Sequence, residues 1–213
     1  MKKIVLMSAA VLLVAGTMVS CKKSSKGKMD GEWTVESWTD RTTDTSGGST
    51  DTDETKITGT TLTQTSTSGG STETTTGTVQ EASYSIKKDG TWSRSIKFTT
   101  IDVVFGVTFT TAASTMSSGN WDFATGVGEF KKNERVVFST LSETNSSVTT
   151  SSLPTQTSSS TQTYADGENS EIFVITESKK KSLSLEMKGA STYSTGGNSS
   201  SDTRNVTISL IAK

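Results

Sequence analysis

The chain has 213 residues, a formal net charge of −1, no histidine and one cysteine, and Ser and Thr make up over a third of it. With no histidine and Cys21 alone, Cys/His metal sites, Ser-His-Asp triads, Cys-His pairs and disulfides are all excluded. The charge balance offers no electrostatic footprint for nucleic acid, and acid–base chemistry is left to Asp, Glu, Lys or Tyr.

Residues 1–21 begin with Lys2 and Lys3, run apolar and uncharged over 4–19, and end on Ser20-Cys21. A basic start, an apolar stretch and a small residue at the cut are the parts of a secretory signal. The run is shorter than the roughly 20 residues of a spanning helix. Because the cut falls before a cysteine, the segment resembles a bacterial lipoprotein signal, with Met18-Val19-Ser20-Cys21 as its lipobox. That resemblance implies an acylated Cys21, with acyl chains stabilising membrane attachment by about 0.8 kcal/mol per buried methylene. Residues 1–20 are then the signal peptide and 21–30 a flexible polar tether. From Cys21 to Gly31 the tether spans about 17 Å as a coil or roughly 33 Å stretched.

The folded part is expected over 31–213 as a single domain. Trp33 and Val35 alternate with Thr34 and Glu36, which predicts a first strand over 31–38 with Trp38 on the opposite face from Trp33. The acidic stretch 40–55 is expected to be a loop. Thr-rich runs at 56–66 and 72–88 flank Gly69-Gly70 as a hairpin. TSGGST occurs twice, at 45–50 and 67–72, and is expected to mark two similar Gly-Gly turns rather than a duplicated binding loop. Asp89-Gly90, between alternating runs, predicts a second hairpin whose turn residues both take positive φ.

Residues 101–109 (Ile101, Val103, Phe105, Val107, Phe109) alternate without a break and are expected to form a strand in the middle of the core, followed by a turn over 112–119. Trp121 and Phe123 open the next strand, 126–130 leads to a turn at 131–134, and 135–142 is a strand. The Ser/Thr stretch 143–163, which holds the lone proline, is either a mobile loop or the tip of a long hairpin. Strands over 170–177, 182–188 and 204–212 complete the chain, with turns at 179–181 and Gly196-Gly197. About eight to ten strands in sequence, with no helical periodicity, predict an all-β antiparallel meander that closes into a barrel.

Gly31-x-Trp33 after a lipid-acceptor cysteine, Lys88-Asp89-Gly90-Thr91-Trp92, Gly119-Asn120-Trp121, and the pair Phe173-Val174-Ile175 and Leu183-Ser184-Leu185 together resemble the lipocalin-like lipoproteins of Bacteroidetes-type bacteria. The resemblance spans most of the exported part. It implies a small antiparallel barrel on a lipid anchor at the outer membrane, facing either the periplasm or the surface, with no assigned ligand.

Trp33, Trp92, Trp121 and Phe105 are the candidate lining of a ligand pocket, although aromatics on alternating faces are more often core. Asp44, Asp51, Asp53 and Glu54 offer oxygen ligands for Ca²⁺, but without the spacing of a helix-loop-helix site, so a solvated acidic segment is expected. No cofactor or metal is expected. The leading expectation is a non-catalytic, membrane-anchored barrel that binds a small apolar ligand or serves as an envelope accessory. The alternative is a β-sandwich surface module that uses polar hairpins to grip a protein or glycan. A hydrolase built on a carboxylate pair is a third reading.

Overall fold

The structure is a computed structural model, and it describes residues 25–124, 134–195 and 198–213. Cys21, the signal segment and the expected strand and turn at 126–133 lie outside the described residues, as does the Gly196-Gly197 turn. Among the described residues one short helix, α1 (Lys26–Met29), precedes eleven strands: β1 (Gly31–Ser46), β2 (Ser49–Thr58), β3 (Thr61–Ser68), β4 (Ser71–Ile86), β5 (Thr91–Val104), β6 (Val107–Ala124), β7 (Arg135–Thr150), β8 (Gln156–Thr163), β9 (Ser170–Ser178), β10 (Ser182–Thr195) and β11 (Asn198–Ala212). They form one antiparallel sheet in the order β6-β5-β4-β3-β2-β1-β11-β10-β9-β7-β8, and a β6–β7 pairing closes ten of them into a barrel. The eleventh, β8, pairs with the distal half of β7. The expected closed antiparallel barrel is therefore the architecture of the chain.

The barrel narrows at its base. There β1 bonds directly to β4, from Gly31↔Ile86 to Thr34↔Ser83, so β2 and β3 drop out of the ring. Within this narrow end Tyr84, Trp92, Phe138 and Phe173 stack in series, with ring centroids 6.3 Å (Tyr84–Trp92), 5.0 Å (Trp92–Phe138) and 5.9 Å (Phe138–Phe173) apart. Trp33, Val136, Leu183, Leu185 and Leu210 fill the space around them and are almost wholly buried. Helix α1 plugs the end. Met29 is fully buried, its carbonyl accepts a 2.9 Å bond from Trp33 Nε1, and Lys28 Nζ donates to the Ser178 carbonyl at 3.0 Å. The backbone N–H of Ser25 donates to the Glu134 carboxylate at 3.1 Å. Of the stretch 21–30 read as a free tether, the part from Ser25 onward is thus docked on the barrel, because Met29 gains more by burial than a solvated linker offers.

Away from the base the strands continue as long polar hairpins, and two sequence expectations change. Residues 40–55 are not a loop: β1 and β2 run to a tight turn at Gly47-Gly48, with φ of 58° and 83°. The second TSGGST copy makes the same turn at Gly69-Gly70, with φ of 57° and 82°. Both-positive φ matches the twist of a two-residue hairpin and suits glycine. Residues 112–119 do not turn but lie inside β6. Of the two readings left open for 143–163, the hairpin is observed, as β7 and β8. These segments bury little apolar surface and are held by ladder bonds and cross-strand hydroxyl pairs. Examples are Thr67–Thr72 at 3.0 Å, Thr111–Thr149 at 2.9 Å and Thr144–Thr161 at 3.0 Å. Each such pair contributes roughly 0.2–1 kcal/mol.

The largest departure is at residues 101–109. The unbroken alternation reads as one core strand, yet the chain reverses inside it at Phe105-Gly106, and β5 pairs with β6 out to Val104↔Val107. Phe105 adopts φ 48° and is fully exposed, with Ile101, Val103 and Val104 exposed beside it. At the other end of β5, the Asp89-Gly90 hairpin is present but its turn differs from the expectation. Gly90 alone takes positive φ, the Gly90 N–H bonds the Lys87 carbonyl at 3.1 Å, and the Asp89 carboxylate accepts from Thr91 N–H at 2.9 Å. The extra residues of this wider loop let Asp89 avoid positive φ.

Candidate functional site

Above the aromatic floor the inner face of the barrel changes from apolar to charged. Arg204 of β11 makes a two-pronged pair with Asp40 of β1, Nε to Oδ1 at 3.0 Å and Nη2 to Oδ2 at 2.7 Å. Its third nitrogen, Nη1, reaches Glu171 Oε1 of β9 at 2.8 Å. The Asp40 hydrogen bonds raise the Arg204 pKa above its ordinary value, against the partial loss of water around it. A planar guanidinium with two carboxylates in its fork is a fixed strut across three strands.

Arg94 of β5 forms a second layer. Its Nη2 donates to Ser117 Oγ at 3.0 Å, Glu143 Oε2 lies 3.8 Å away, and its carbon centre sits 5.6 Å from the Trp38 ring centroid. Burial opposes the Arg94 charge, but Tyr84, Glu171 and Glu143 more than offset it, so its pKa stands above the ordinary value. Burial pushes the Tyr84 hydroxyl up as well. Arg94 and Arg204 therefore stay protonated, and they serve as donors and not as acids or bases.

Trp38 reaches this layer because of one irregularity. A register shift in the β1–β11 pairing falls between Val35 and Ser37. Without it Trp38 follows the alternation outward. With it Trp38 lies opposite Ile57 on one side and Ile208 on the other, both buried inside the barrel. A bulge of this kind re-aims the side chains that follow it.

Between Trp38 and Arg94 on one side and Ile57, Leu62, Ile96 and Phe98 on the other lies a partly enclosed cavity of about 210 Å³. Thr55, Gln64 and Thr115 add polar groups to its wall. Trp38 Nε1 and Arg94 Nε are shielded from solvent and meet no acceptor among the described residues. An unpaired buried donor costs about 1–3 kcal/mol, so this point is held at an energetic cost. A larger depression of about 460 Å³ lies against the wall around Ser83, Ser85, Ser93 and Ser95, and it is more open and more polar.

The four aromatic residues expected to line a pocket are not brought together around this cavity. Trp33 and Trp92 are packed in the floor, and each indole N–H is satisfied, by the Met29 carbonyl at 2.9 Å and the Ser139 carbonyl at 3.3 Å. Trp121 closes the base, donating to the Lys87 carbonyl at 2.8 Å. Phe105 stands on an exposed hairpin tip. The residue missed is Arg94, whose one sequence signal was a lone cation on the apolar phase of β5. Trp38 lies on the inner face with Ile57 and Ile208, not on the face opposite Trp33.

The acidic stretch forms a row instead of a calcium loop: Asp44 pairs with Asp51 on one side and Asp202 on the other. Among the described residues no group of three or more Asp, Glu, His or Cys is arranged to hold a metal ion. The Asp44 carboxyl is pushed up, first by water lost from around it and then by the charges of Asp202 and Asp51. A folded-state pKa above the unfolded one means that stability falls as pH rises through that carboxyl's range. Asp44→Asn therefore raises the melting temperature at pH 7 and leaves it nearly unchanged at pH 3, as thermal melts at the two pH values will read.

Comparison of the chain with protein-family profiles, with curated proteins and with solved structures returned no match. The reading of the site rests on its geometry.

Proposed function

We propose that the protein is an exported, non-catalytic barrel that is anchored to the outer membrane through an acylated Cys21 and binds a small, largely apolar ligand in its lumen. The cavity between Trp38 and Arg94, with two buried donors that meet no acceptor among the described residues, is the observation that carries this reading. Cys21 lies four residues before Ser25 at the barrel base, and a fully extended link of that length spans at most about 14 Å. Acylation there holds the narrow end toward the bilayer and turns the hairpins away from it.

A second reading, a surface module that grips a protein partner, has the bare Phe105 tip in its favour. One experiment separates the two. Thr115→Trp fills the cavity from a half-buried position, and Phe105→Ser removes the apolar tip without touching the core. Under the leading reading, ligand-induced thermal stabilisation disappears in Thr115→Trp and persists in Phe105→Ser, while Cys21→Ser moves the protein from the membrane fraction to the soluble one. Stabilisation by small ligands that survives in Thr115→Trp removes the lumen from consideration.

A further inference from the structure

The class of molecule that the cavity accepts follows from its size and charge, given the ligand-binding reading above. A cavity of about 210 Å³ lies below the roughly 300–1,000 Å³ of sites for drug-sized ligands. It exceeds the roughly 150 Å³ known to hold benzene. A ring-sized molecule fits, and a long acyl chain does not.

The charges of the lumen decide the head group. Arg94 and Arg204 face three carboxylates, Asp40, Glu143 and Glu171, so the guanidiniums are already more than neutralised. Further from the base, Asp44, Asp51, Asp53 and Asp202 occupy positions in register with the inward-facing Asp40 and Arg204 phase. An anionic ligand entering past them meets repulsion and finds both arginines already paired with carboxylates. The unmet demand at the cavity is of another kind: the N–H groups Trp38 Nε1 and Arg94 Nε have no acceptor among the described residues. The other walls, Ile57, Leu62, Ile96 and Phe98, are apolar.

We propose that the cavity takes a compact, uncharged molecule with an apolar body and one accepting oxygen, of the ketone, ester, lactone or amide class, whose oxygen accepts from Trp38 and Arg94. The apolar body lies against Ile57, Leu62, Ile96 and Phe98, and the oxygen removes the cost of the unpaired donors. An uncharged head crosses the acidic mouth without penalty, whereas a carboxylate of the same shape does not.

Three probes of nearly equal shape test this by calorimetric titration of the full chain: acetophenone, benzoate and ethylbenzene. Acetophenone is expected to bind roughly tenfold more tightly than ethylbenzene, the value of one well-made hydrogen bond, and more tightly still than benzoate. Trp38→Phe keeps the ring and deletes the donor, and it is expected to bring acetophenone down toward ethylbenzene while leaving ethylbenzene unchanged. If that variant fails to fold, the Trp38 indole N–H resonance of the unaltered protein decides, since it is expected to shift with acetophenone and not with ethylbenzene. Benzoate binding as tightly as acetophenone, or ethylbenzene equal to it, overturns the proposed ligand class and leaves the ligand-binding barrel standing. Failure of all three to bind overturns both.

Discussion

Phe138→Ala is expected to lower the unfolding free energy by about 3–5 kcal/mol, with a fall in melting temperature on the order of 10 °C. Phe138 is only 2% exposed and is the hub of the floor, in ring contact with Tyr84, Trp92 and Phe173, the side chains of three other strands. Removing it leaves a void that four strands of a closed ring cannot collapse to fill without breaking ladder bonds. Ile172→Ala, on β9 beside Phe173 but half-exposed on the outer face, is the control and is expected to cost under about 0.5 kcal/mol. Denaturant melts of the two variants measure the contrast. Equal losses would mean that the floor is not the stabilising layer.

Gly119→Ala carries the second large effect, through the backbone instead of the core. Gly119 sits at the register shift in the β6–β7 pairing, where the strands press together. A Cβ there overlaps the Ser139 carbonyl oxygen and comes within 2.9 Å of the Leu141 nitrogen. Both obstacles are main chain, so no rotamer change relieves them and the two strands must part. The expected cost is about 3 kcal/mol or more, at the upper end of single-residue effects. Gly189→Ala, in the same barrel, meets its nearest atom at an ordinary 3.8 Å and is expected to be neutral or slightly stabilising. Chemical denaturation midpoints distinguish the two.

Gly119 also shows how local pattern and fold divide the information. It stands in the sequence as part of Gly119-Asn120-Trp121, and nothing local says that its missing Cβ makes room for β7. Trp38 is the same case on the functional side. Period-two alternation is a rule about neighbours within a strand, and a single bulge at Val35/Ser37 inverts it for everything after. The stretch 101–109 failed for a related reason. Its alternation continued through a turn carried by Phe105, whose positive φ is conformationally costly and so leaves no turn residue to read except Gly106.

The stretch 40–55 departs in the opposite direction: polar and acidic residues with no apolar neighbour read as a loop because a strand is recognised by the face it buries. Here β2, β3 and β8 extend mainly by pairing with their neighbours, a contribution that belongs to the partner strand as much as to the strand itself.

The residues alone determined the all-β class, the antiparallel succession of strands, the Gly-Gly and Asp-Gly reversals and the buried identity of Trp33, Trp92 and Trp121. All of these follow from alternation and turn chemistry that act over a few neighbouring positions. Only the tertiary structure decided where bulges fall, that Arg94 and Trp38 meet across the lumen, that Phe105 is bare, and that the cavity lies above the aromatic floor and not within it. Those outcomes depend on the register between strands far apart in sequence, where a shift of one residue exchanges inside for outside.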